Sequence, residues 1–433
     1  MKWLSGRSFK LVLLLAPLGL AGFFAGRHFW AEHHFSAAES AIQRRDFSAA
    51  EKHLHHCLAV WPKRPDLYLL LAQCARRSNG FDQAAEYLAD YERLGGSARS
   101  AALERLLARA QQGDLPASVE APLVMGARQG VPETSLILEA LTRGYLFSYR
   151  LGPALDSVER LLRREPDHVQ ALVWRGWIRE GMHNFPQAED DYRQALALDP
   201  DHFDARLRLA EVLLSRKRPG EAKDHFERLL ETKPEHVAAR LGLARCLRQM
   251  RQPGPARRLL TDLRKEPSVA STVLRELGKA AQDQKNLAEA EDWFRRAFAA
   301  DPHDQETSYT LAQCLFRRRK KAEATRYLNL SKRQEADLKR LWELNQKGGN
   351  AGRDPSFHME AAAICLRNGQ PREAVRWLSG ALQIAPGHKP AHRLLADSYQ
   401  KMGNAKRAAQ HRRMAREATS LERGRTKTRQ DKK

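Results

Sequence analysis

The chain has 433 residues, of which 42% are hydrophobic and 29% are charged, and its formal net charge is +22. This mixture excludes a disordered polymer, and the frequent Ala, Leu, Arg and Glu residues favour helix over strand. So large a positive charge favours anionic partners, such as acidic proteins, nucleic acid or anionic lipid.

The first predicted element is an apolar N-terminal segment. A basic N-terminus, residues 1–10, precedes 16 uncharged residues from Leu11 to Gly26. We interpret residues 11–30 as a transmembrane signal-anchor helix, because the segment approaches the length that spans a bilayer. The basic residues before it predict a cytoplasmic N-terminus and repeats that face outward, in the periplasm or cell envelope. The alternative is a signal peptide, whose cleavage would give a secreted form.

Most of the remaining chain repeats with a period of 34 residues, marked by a recurring alanine. The eleven markers are Ala50, Ala84, Ala117, Ala154, Ala188, Ala222, Ala256, Ala290, Ala324, Ala374 and Ala408. A small residue stands twelve positions before most markers, and a proline stands twelve positions after many of them. Small residues let helix axes approach closely and proline ends a helix, so each unit is predicted to be an antiparallel helix pair.

These columns resemble the tetratricopeptide repeat family over roughly residues 31–422. The resemblance implies an all-α, right-handed superhelical solenoid of about eleven helix-turn-helix units, preceded by the hydrophobic N-terminal helix. About nine units would occupy residues 31–336. The register then slips by 16 residues, and we predict a helix extension and a flexible joint over 337–354. Two further units would occupy 355–422, before a basic, disordered tail at 423–433.

Motifs of catalysis are absent from the sequence. It contains no phosphate-binding loop, no nucleophile elbow, no His-Glu-x-x-His and no Cys-x-x-Cys. Nearly every residue is committed to the repeat, and members of the family that are enzymes carry an appended catalytic domain. We therefore expect no enzyme activity, no catalytic residues, no cofactor and no small-molecule substrate.

The cysteines and a group of histidines have structural and chemical interpretations. The cysteines are Cys57, Cys74, Cys246, Cys314 and Cys365. We expect them to pack in the core as small hydrophobic residues, with a disulfide between Cys57 and Cys74 as the alternative. His34 is predicted to lie near His53 and His56, which could bind zinc or copper. A polar helix face is the preferred interpretation, so no metal site is assigned.

The resemblance implies that partner peptides bind a concave face formed by the first helix of each pair. By register, this face comprises Leu69, Gln73, Arg76, Trp177, Arg245, Arg248, Lys279, Gln313, Arg317 and Arg367. The set is basic, so an acidic peptide is the expected ligand, with Trp177 as an aromatic anchor. The competing interpretation treats each residue as a solvated helix position.

Together these observations predict a non-enzymatic, membrane-tethered scaffold that binds proteins or peptides in the concave groove. One alternative is electrostatic binding to a polyanion, anionic lipid or nucleic acid, through the basic tail. From Lys406 to Lys433 the chain has 11 basic and 3 acidic side chains. Nucleic acid is the less favoured polyanion, because the sequence lacks aromatic stacking sets. A second alternative is an accessory subunit of an enzyme complex.

Overall fold

The structure is a computed structural model. It describes residues 6–148, 150–266, 269–347 and 354–416, with side chains left undescribed at 6–24, 345–347 and 383. The described residues contain helices and no strands. The chain forms two compact units, which we call unit 1 (Met1–Phe147) and unit 2 (Ser148–Lys433). This all-helical architecture confirms the predicted fold class at the level of paired helices.

Unit 1 is built from consecutive helices joined by short turns. They are α1 (Gly6–Gln43), α2 (Phe47–Leu58), α3 (Pro65–Arg77), α4 (Phe81–Arg93), α5 (Ala98–Gln111), α6 (Ala117–Gln129) and α7 (Thr134–Phe147). α1 packs against α2, α3 packs against α4, and α5 contacts both α6 and α7. Buried alanine and leucine side chains form the core between these helices.

Unit 2 continues the same pairing. Its helices are α8 (Leu151–Arg164), α9 (Val169–Gly181), α10 (Phe185–Leu198), α11 (Phe203–Ser215), α12 (Pro219–Thr232), α13 (Val237–Gln249), α14 (Pro253–Leu263), α15 (Ala270–Asp283), α16 (Leu287–Ala300), α17 (Gln305–Arg317), α18 (Lys321–Lys347), α19 (Pro355–Arg367), α20 (Pro371–Ile384) and α21 (Lys389–Lys401). Residues 405–416 are also helical. We call the first helix of each pair the A helix and the second the B helix; α9, α11, α13, α15 and α17 are A helices. Neighbouring A helices are in contact, as α11 is with α13 and α13 with α15.

The marker alanines occupy one position in the B helices, with a single exception. Each is the fourth residue of its helix and is buried, because the A helix approaches most closely there. Ala117 is instead exposed and is the first residue of α6, so Glu120 holds the fourth position. The displacement arises in the preceding turn, where Asp114 and Leu115 separate the left-handed Gly113 from the N-cap residue of α6.

Histidines begin several A helices of unit 2 by capping them. The Nδ1 atoms of His168, His202, His236 and His388 each accept a hydrogen bond from the backbone N–H of the alanine three residues later, at 3.0 to 3.3 Å. Such a bond satisfies one of the backbone donors that a helix N-terminus leaves free. Much of the histidine content of unit 2 is therefore structural.

The N-terminal helix α1 joins the first repeat through its C-terminal half. Ala31 and Ala38 are fully buried, and the Sγ of Cys57 in α2 donates to the carbonyl oxygen of Ala31 at 3.4 Å. The side chains of the predicted anchor up to residue 24 lie outside the described residues. Among the residues that the structure describes, none of the helices has the length and apolar character needed to cross a membrane.

The predicted helix extension is present as the second half of α18, which has 27 residues. In this extension Leu344 is buried, and it packs with Leu341 against Phe357 and Ile364 of α19. The extension therefore provides the surface on which the next helix pair is built. The predicted joint at 348–353 and the tail from residue 417 lie outside the described residues.

Candidate partner-binding face

In unit 1 the predicted binding residues are occupied by internal contacts. Arg76 is 2% exposed, and it donates through Nε to Glu104 at 2.7 Å and through Nη1 to Gln111 at 3.0 Å. Gln73 Nε2 donates to the other oxygen of Glu104 at 3.2 Å. Leu69 is half-buried against the core of α3, α4 and α5. Contrary to the prediction, Arg76 is not available to a ligand, because α5 supplies a buried carboxylate for it.

In unit 2 three of the predicted cations surround one buried carboxylate, Glu276 of α15. Arg245 and Arg248 of α13 each place Nε 3.3 Å from this carboxylate, and Lys279 Nζ lies 3.0 Å from it. Lys279 also lies 2.5 Å from Glu306 of α17. Burial alone would raise the pKa of Glu276, but the three cations outweigh it and lower the pKa. These cations thus bind neighbouring A helices to one another.

The last predicted cation, Arg367, is also paired. Its Nη2 donates to Asp337 Oδ1 in the α18 extension at 2.6 Å, and this hydrogen bond lowers the pKa of Asp337. Trp177, the predicted aromatic anchor, is half-buried in α9. Of the six predicted cations, only Arg317 has no ion pair among the described residues. The face is therefore much closer to neutral than its sequence predicts.

One A helix nevertheless exposes a surface suited to recognition. Tyr309 and Phe316 of α17 are 43% and 41% exposed and lie seven residues apart, which places them on one side of the helix. Gln313 lies between them, and Arg317 follows them as an exposed cation. We call Tyr309, Gln313, Phe316 and Arg317 the α17 face. The register predicted Gln313 and Arg317, whereas the two aromatic residues were missed.

The insertion after α18 accounts for this exposure. In the regular part of unit 2 each A helix is followed by another A helix about 34 residues later, which packs beside it. After α17 the next A helix, α19, begins only at Pro355, and it packs against the α18 extension. The aromatic side chains of α17 therefore remain in solvent.

Family models decide what this architecture is. Two models described as tetratricopeptide repeat match the chain. The first matches residues 41–110, 213–268, 281–347 and 366–418, and the second matches residues 177–233 and 247–305. The first model alone covers more than half of the chain. The chain belongs to the tetratricopeptide repeat family.

Solved structures with a similar fold are themselves repeat proteins or carry other names. A tetratricopeptide repeat protein from Parabacteroides merdae is 18% identical, with a TM-score of 0.36, and the match covers 66% of this chain and 99% of that one. PilF of Pseudomonas aeruginosa is 18% identical, with a TM-score of 0.33 and coverage of 55% and 98%. Yeast Tom70 is 13% identical, with a TM-score of 0.35 and coverage of 92% and 97%. No curated protein matches the chain. The assignment rests on the family models.

Tetratricopeptide repeats generally serve as protein-interaction scaffolds without catalytic activity of their own, and nothing in this chain shows catalysis. The polar groups buried in its repeats bind one another across helix pairs, as Glu276 does with its three cations. Such pairs fix the position of neighbouring helices. The site residues of this tetratricopeptide repeat protein are therefore sought on exposed helix faces.

The histidine group in the first repeat is as compact as predicted. The Nδ1 atoms of His34 and His53 are 2.8 Å apart, and the ring of His56 lies 4.6 Å from that of His34. Burial lowers the pKa of His34, and the neighbouring histidines lower it further. Within the part of the chain that the structure describes, no group of three or more His, Cys, Asp or Glu residues has an arrangement that could hold a metal ion.

The last repeat contains an equivalent pair. His392 and His411 are separated by 19 residues, as His34 and His53 are, and their Nδ1 atoms are 2.9 Å apart. One nitrogen of such a pair must donate and the other accept, so both rings cannot be protonated while the hydrogen bond persists. Burial, followed by the field of His392, lowers the pKa of His411.

All five cysteines are buried as free thiols, which confirms their predicted place in the core. The alternative disulfide between Cys57 and Cys74 is not formed. Burial raises the pKa of the Cys74 thiol to about 11 and that of the Cys246 thiol to about 12. At neutral pH these thiols are protonated and unreactive.

Proposed function

We propose that this protein is a scaffold whose α17 face is a docking site for a partner protein or peptide. The observation that carries the proposal is the exposure of Tyr309 and Phe316 on the same side of α17, beside Arg317. Aromatic residues and arginine contribute most of the binding energy at protein interfaces. A partner that fits would offer an apolar surface for the two rings and a carboxylate for the guanidinium.

The proposal narrows the expected ligand. A groove lined by unpaired cations would attract a strongly acidic peptide, but five of the six predicted cations already have carboxylate partners. An acidic peptide would have to displace Glu276 or Asp337 from their partners, which costs free energy that solvent-exposed charges do not return. Apolar contact with a single acidic group therefore suits this surface better.

The test places a photo-crosslinking amino acid at position 309 or 316 of the full chain in cells. Leu198 provides a matched control, since it is 42% exposed at the end of another helix. We expect the same protein to be crosslinked from positions 309 and 316 but not from 198. The absence of any shared partner at 309 and 316 would reject the docking site.

The partner can then be used to measure the contribution of the α17 face. Replacing both aromatic residues, Tyr309→Ala and Phe316→Ala, should weaken binding roughly 30-fold or more, because each buried aromatic anchor contributes about 1 to 2 kcal/mol or more. Arg317→Lys keeps the charge but loses the two-pronged geometry, so a smaller loss is expected. Leu198→Ala should bind as the unaltered chain does. Equal binding by all these variants would contradict the proposal.

We further propose that the scaffold is tethered to a membrane by residues 11–30. The support is the uncharged run from Leu11 to Gly26 and the basic residues that precede it. The N-terminal residue of the mature protein, determined by mass spectrometry, tests this idea. A mature chain that begins beyond residue 22 would lack most of the anchor, and the proposal would fail.

A further inference from the structure

Five consecutive turns between A and B helices in unit 2 share an unusual feature. Each places a basic side chain on a residue whose backbone is left-handed, with φ between 60° and 63°. These residues are His183, Lys217, Arg251, Lys285 and Arg319, and all are exposed. Left-handed backbone is unfavourable for residues that carry a Cβ, and glycine is the usual choice. Five repeats thus accept a conformational cost at the position that presents a basic side chain.

These turns lie side by side along one edge of unit 2. A groove of about 760 Å³ is lined by residues from three consecutive turns, including Lys217, Arg251 and Gln284. Further along the chain, Arg318 and Lys320 bind Glu291, which lies in the first turn of α16, immediately after the Lys285 turn. The left-handed residues therefore form a row, and we call Lys217, Arg251, Lys285 and Arg319 the basic turn edge.

The charges of this edge are selectively uncompensated. Arg216 and Arg218, which flank Lys217, both bind Glu189 of the preceding B helix. The residues that flank Arg319 likewise bind Glu291. The four residues of the basic turn edge form no ion pair or side-chain hydrogen bond with any residue that the structure describes. Fixed arginines thus support each turn, while its tip keeps a free cation.

The B helices add further positive potential at the same edge. The N-cap positions of α12 and α14, Arg218 and Gln252, provide no side-chain hydrogen bond to the helix, and each helix begins with proline. Their free N-terminal N–H groups adjoin the groove that Lys217 and Arg251 line. Backbone N–H groups and the helix dipole favour anions there, and phosphate most of all.

We propose that the basic turn edge binds the phosphate headgroups of an anionic bilayer. Neighbouring A helices are in contact, so the tips recur at about the 8–10 Å separation of packed helices. A plane of anionic headgroups can meet every tip of such a row at once, and each basic residue near the surface adds to the attraction. The turns at 216–219, 250–253, 284–287 and 318–321 contain no aromatic residue to stack on bases, which disfavours a single-stranded nucleic acid.

This surface is separate from the α17 face, so the two proposals can fail independently. The test uses hydrogen–deuterium exchange of the full chain, reconstituted in phosphatidylcholine vesicles or in an equal mixture of phosphatidylcholine and phosphatidylglycerol. We expect slower exchange at the four turns only on the anionic vesicles. The difference should vanish in about 0.5 M salt, because screening shortens the range of exposed charges. An N-terminal anchor would act equally in both membranes and would not produce this difference.

Glycine substitutions remove the charges without straining the turns. The variant Lys217→Gly, Arg251→Gly, Lys285→Gly and Arg319→Gly keeps a residue that favours left-handed backbone, and it should lose the protection. The matched control removes four exposed basic charges from other positions: Arg163→Gln, Arg164→Gln, Lys265→Gln and Lys332→Gln. The control should keep the protection.

Three outcomes would overturn the proposal. One is equal exchange on the two kinds of vesicle. Another is the same protection by inorganic phosphate alone, which would indicate a site for a free anion. The third is protection by a single-stranded oligonucleotide and not by vesicles, which would indicate a nucleic-acid surface.

Discussion

The contact between Gly278 of α15 and Phe294 of α16 allows a sharp test of how the repeats pack. Phe294 is fully buried, and its ring lies directly over the glycine. A Cβ added to Gly278 would lie 2.6 Å from Cε1 and 2.7 Å from Cδ1 of that ring, far inside van der Waals contact. Gly278→Ala should therefore push the ring out of its place in the core.

The expected magnitude follows from two opposing effects. Alanine in a helix interior is favoured over glycine by about 1 kcal/mol. Overpacking a close-packed core costs about 1–3 kcal/mol. We expect a net loss of about 1 kcal/mol in the free energy of unfolding for Gly278→Ala. Gly220→Ala in α12 is the control, because a Cβ there meets nothing within 4 Å, and it should be neutral or stabilising.

A second substitution distinguishes this steric explanation from a general effect of alanine. Other repeats combine alanine at the equivalent A-helix position with leucine at the B-helix position, as Ala312 and Leu328 do. Phe294→Leu alone should destabilise through the space that it leaves. Combined with Gly278→Ala it should destabilise less than the sum, with a coupling free energy of about 1–2 kcal/mol.

The assay is urea unfolding followed by circular dichroism, with hydrogen exchange at α15 and α16 as a local measure. The local measure is needed because repeat arrays can unfold in parts, so that a single midpoint averages several transitions. Additive effects of Gly278→Ala and Phe294→Leu would refute the steric explanation. So would equal stability of Gly278→Ala and Gly220→Ala.

Three further predictions concern buried or paired ionisable groups. Glu104→Gln leaves the buried Arg76 without its counter-charge, so urea unfolding should show unit 1 destabilised by about 3–5 kcal/mol, whereas Glu92→Gln in an exposed pair should cost far less. The lowered pKa of Glu276 stabilises the fold above the ordinary value of 4.5, and this contribution is lost as pH falls through the folded-state pKa. The difference in urea midpoint between the unaltered chain and Glu276→Gln should thus shrink from pH 7 to pH 3.5, and a constant difference would contradict it. The lowered pKa of His411 favours the neutral ring, so hydrogen exchange over residues 389–416 should accelerate as pH falls below 6.5, once corrected for intrinsic rates, and His411→Gln should reduce this acceleration.

The period of 34 residues was enough to place nearly every helix. It predicted the B helices because small residues at close approach and prolines at helix ends have mechanical reasons to recur. The exception, Ala117, was selected for its residue type. Glu120 stands 34 residues before Ala154, with Ala108 twelve residues earlier and Pro132 twelve residues later, so the flanking columns favoured Glu120. A marker is therefore better chosen from several columns than from one.

The charge of the binding face was not predictable from the register alone. The register assigns a residue to a face, but the carboxylate that neutralises it comes from the next A helix. Arg76 is paired with Glu104, and Arg248 with Glu276, each across 28 residues. This common separation is itself a sequence signal for an ion pair between repeats. Counting basic residues one helix at a time missed it and gave too positive a groove.

The same comparison explains why the α17 face differs from its neighbours. The position of Arg76 and Arg248 is held in α17 by Phe316, and 28 residues later stands Leu344 in place of a glutamate. Leu344 is buried against Phe357 in the α18 extension, where an A helix would otherwise begin. The insertion thus ends the series of ion pairs between A helices and replaces it with an aromatic side chain left in solvent. An exposed phenylalanine at that position stabilises the fold little, which is why we assign the α17 face to a partner.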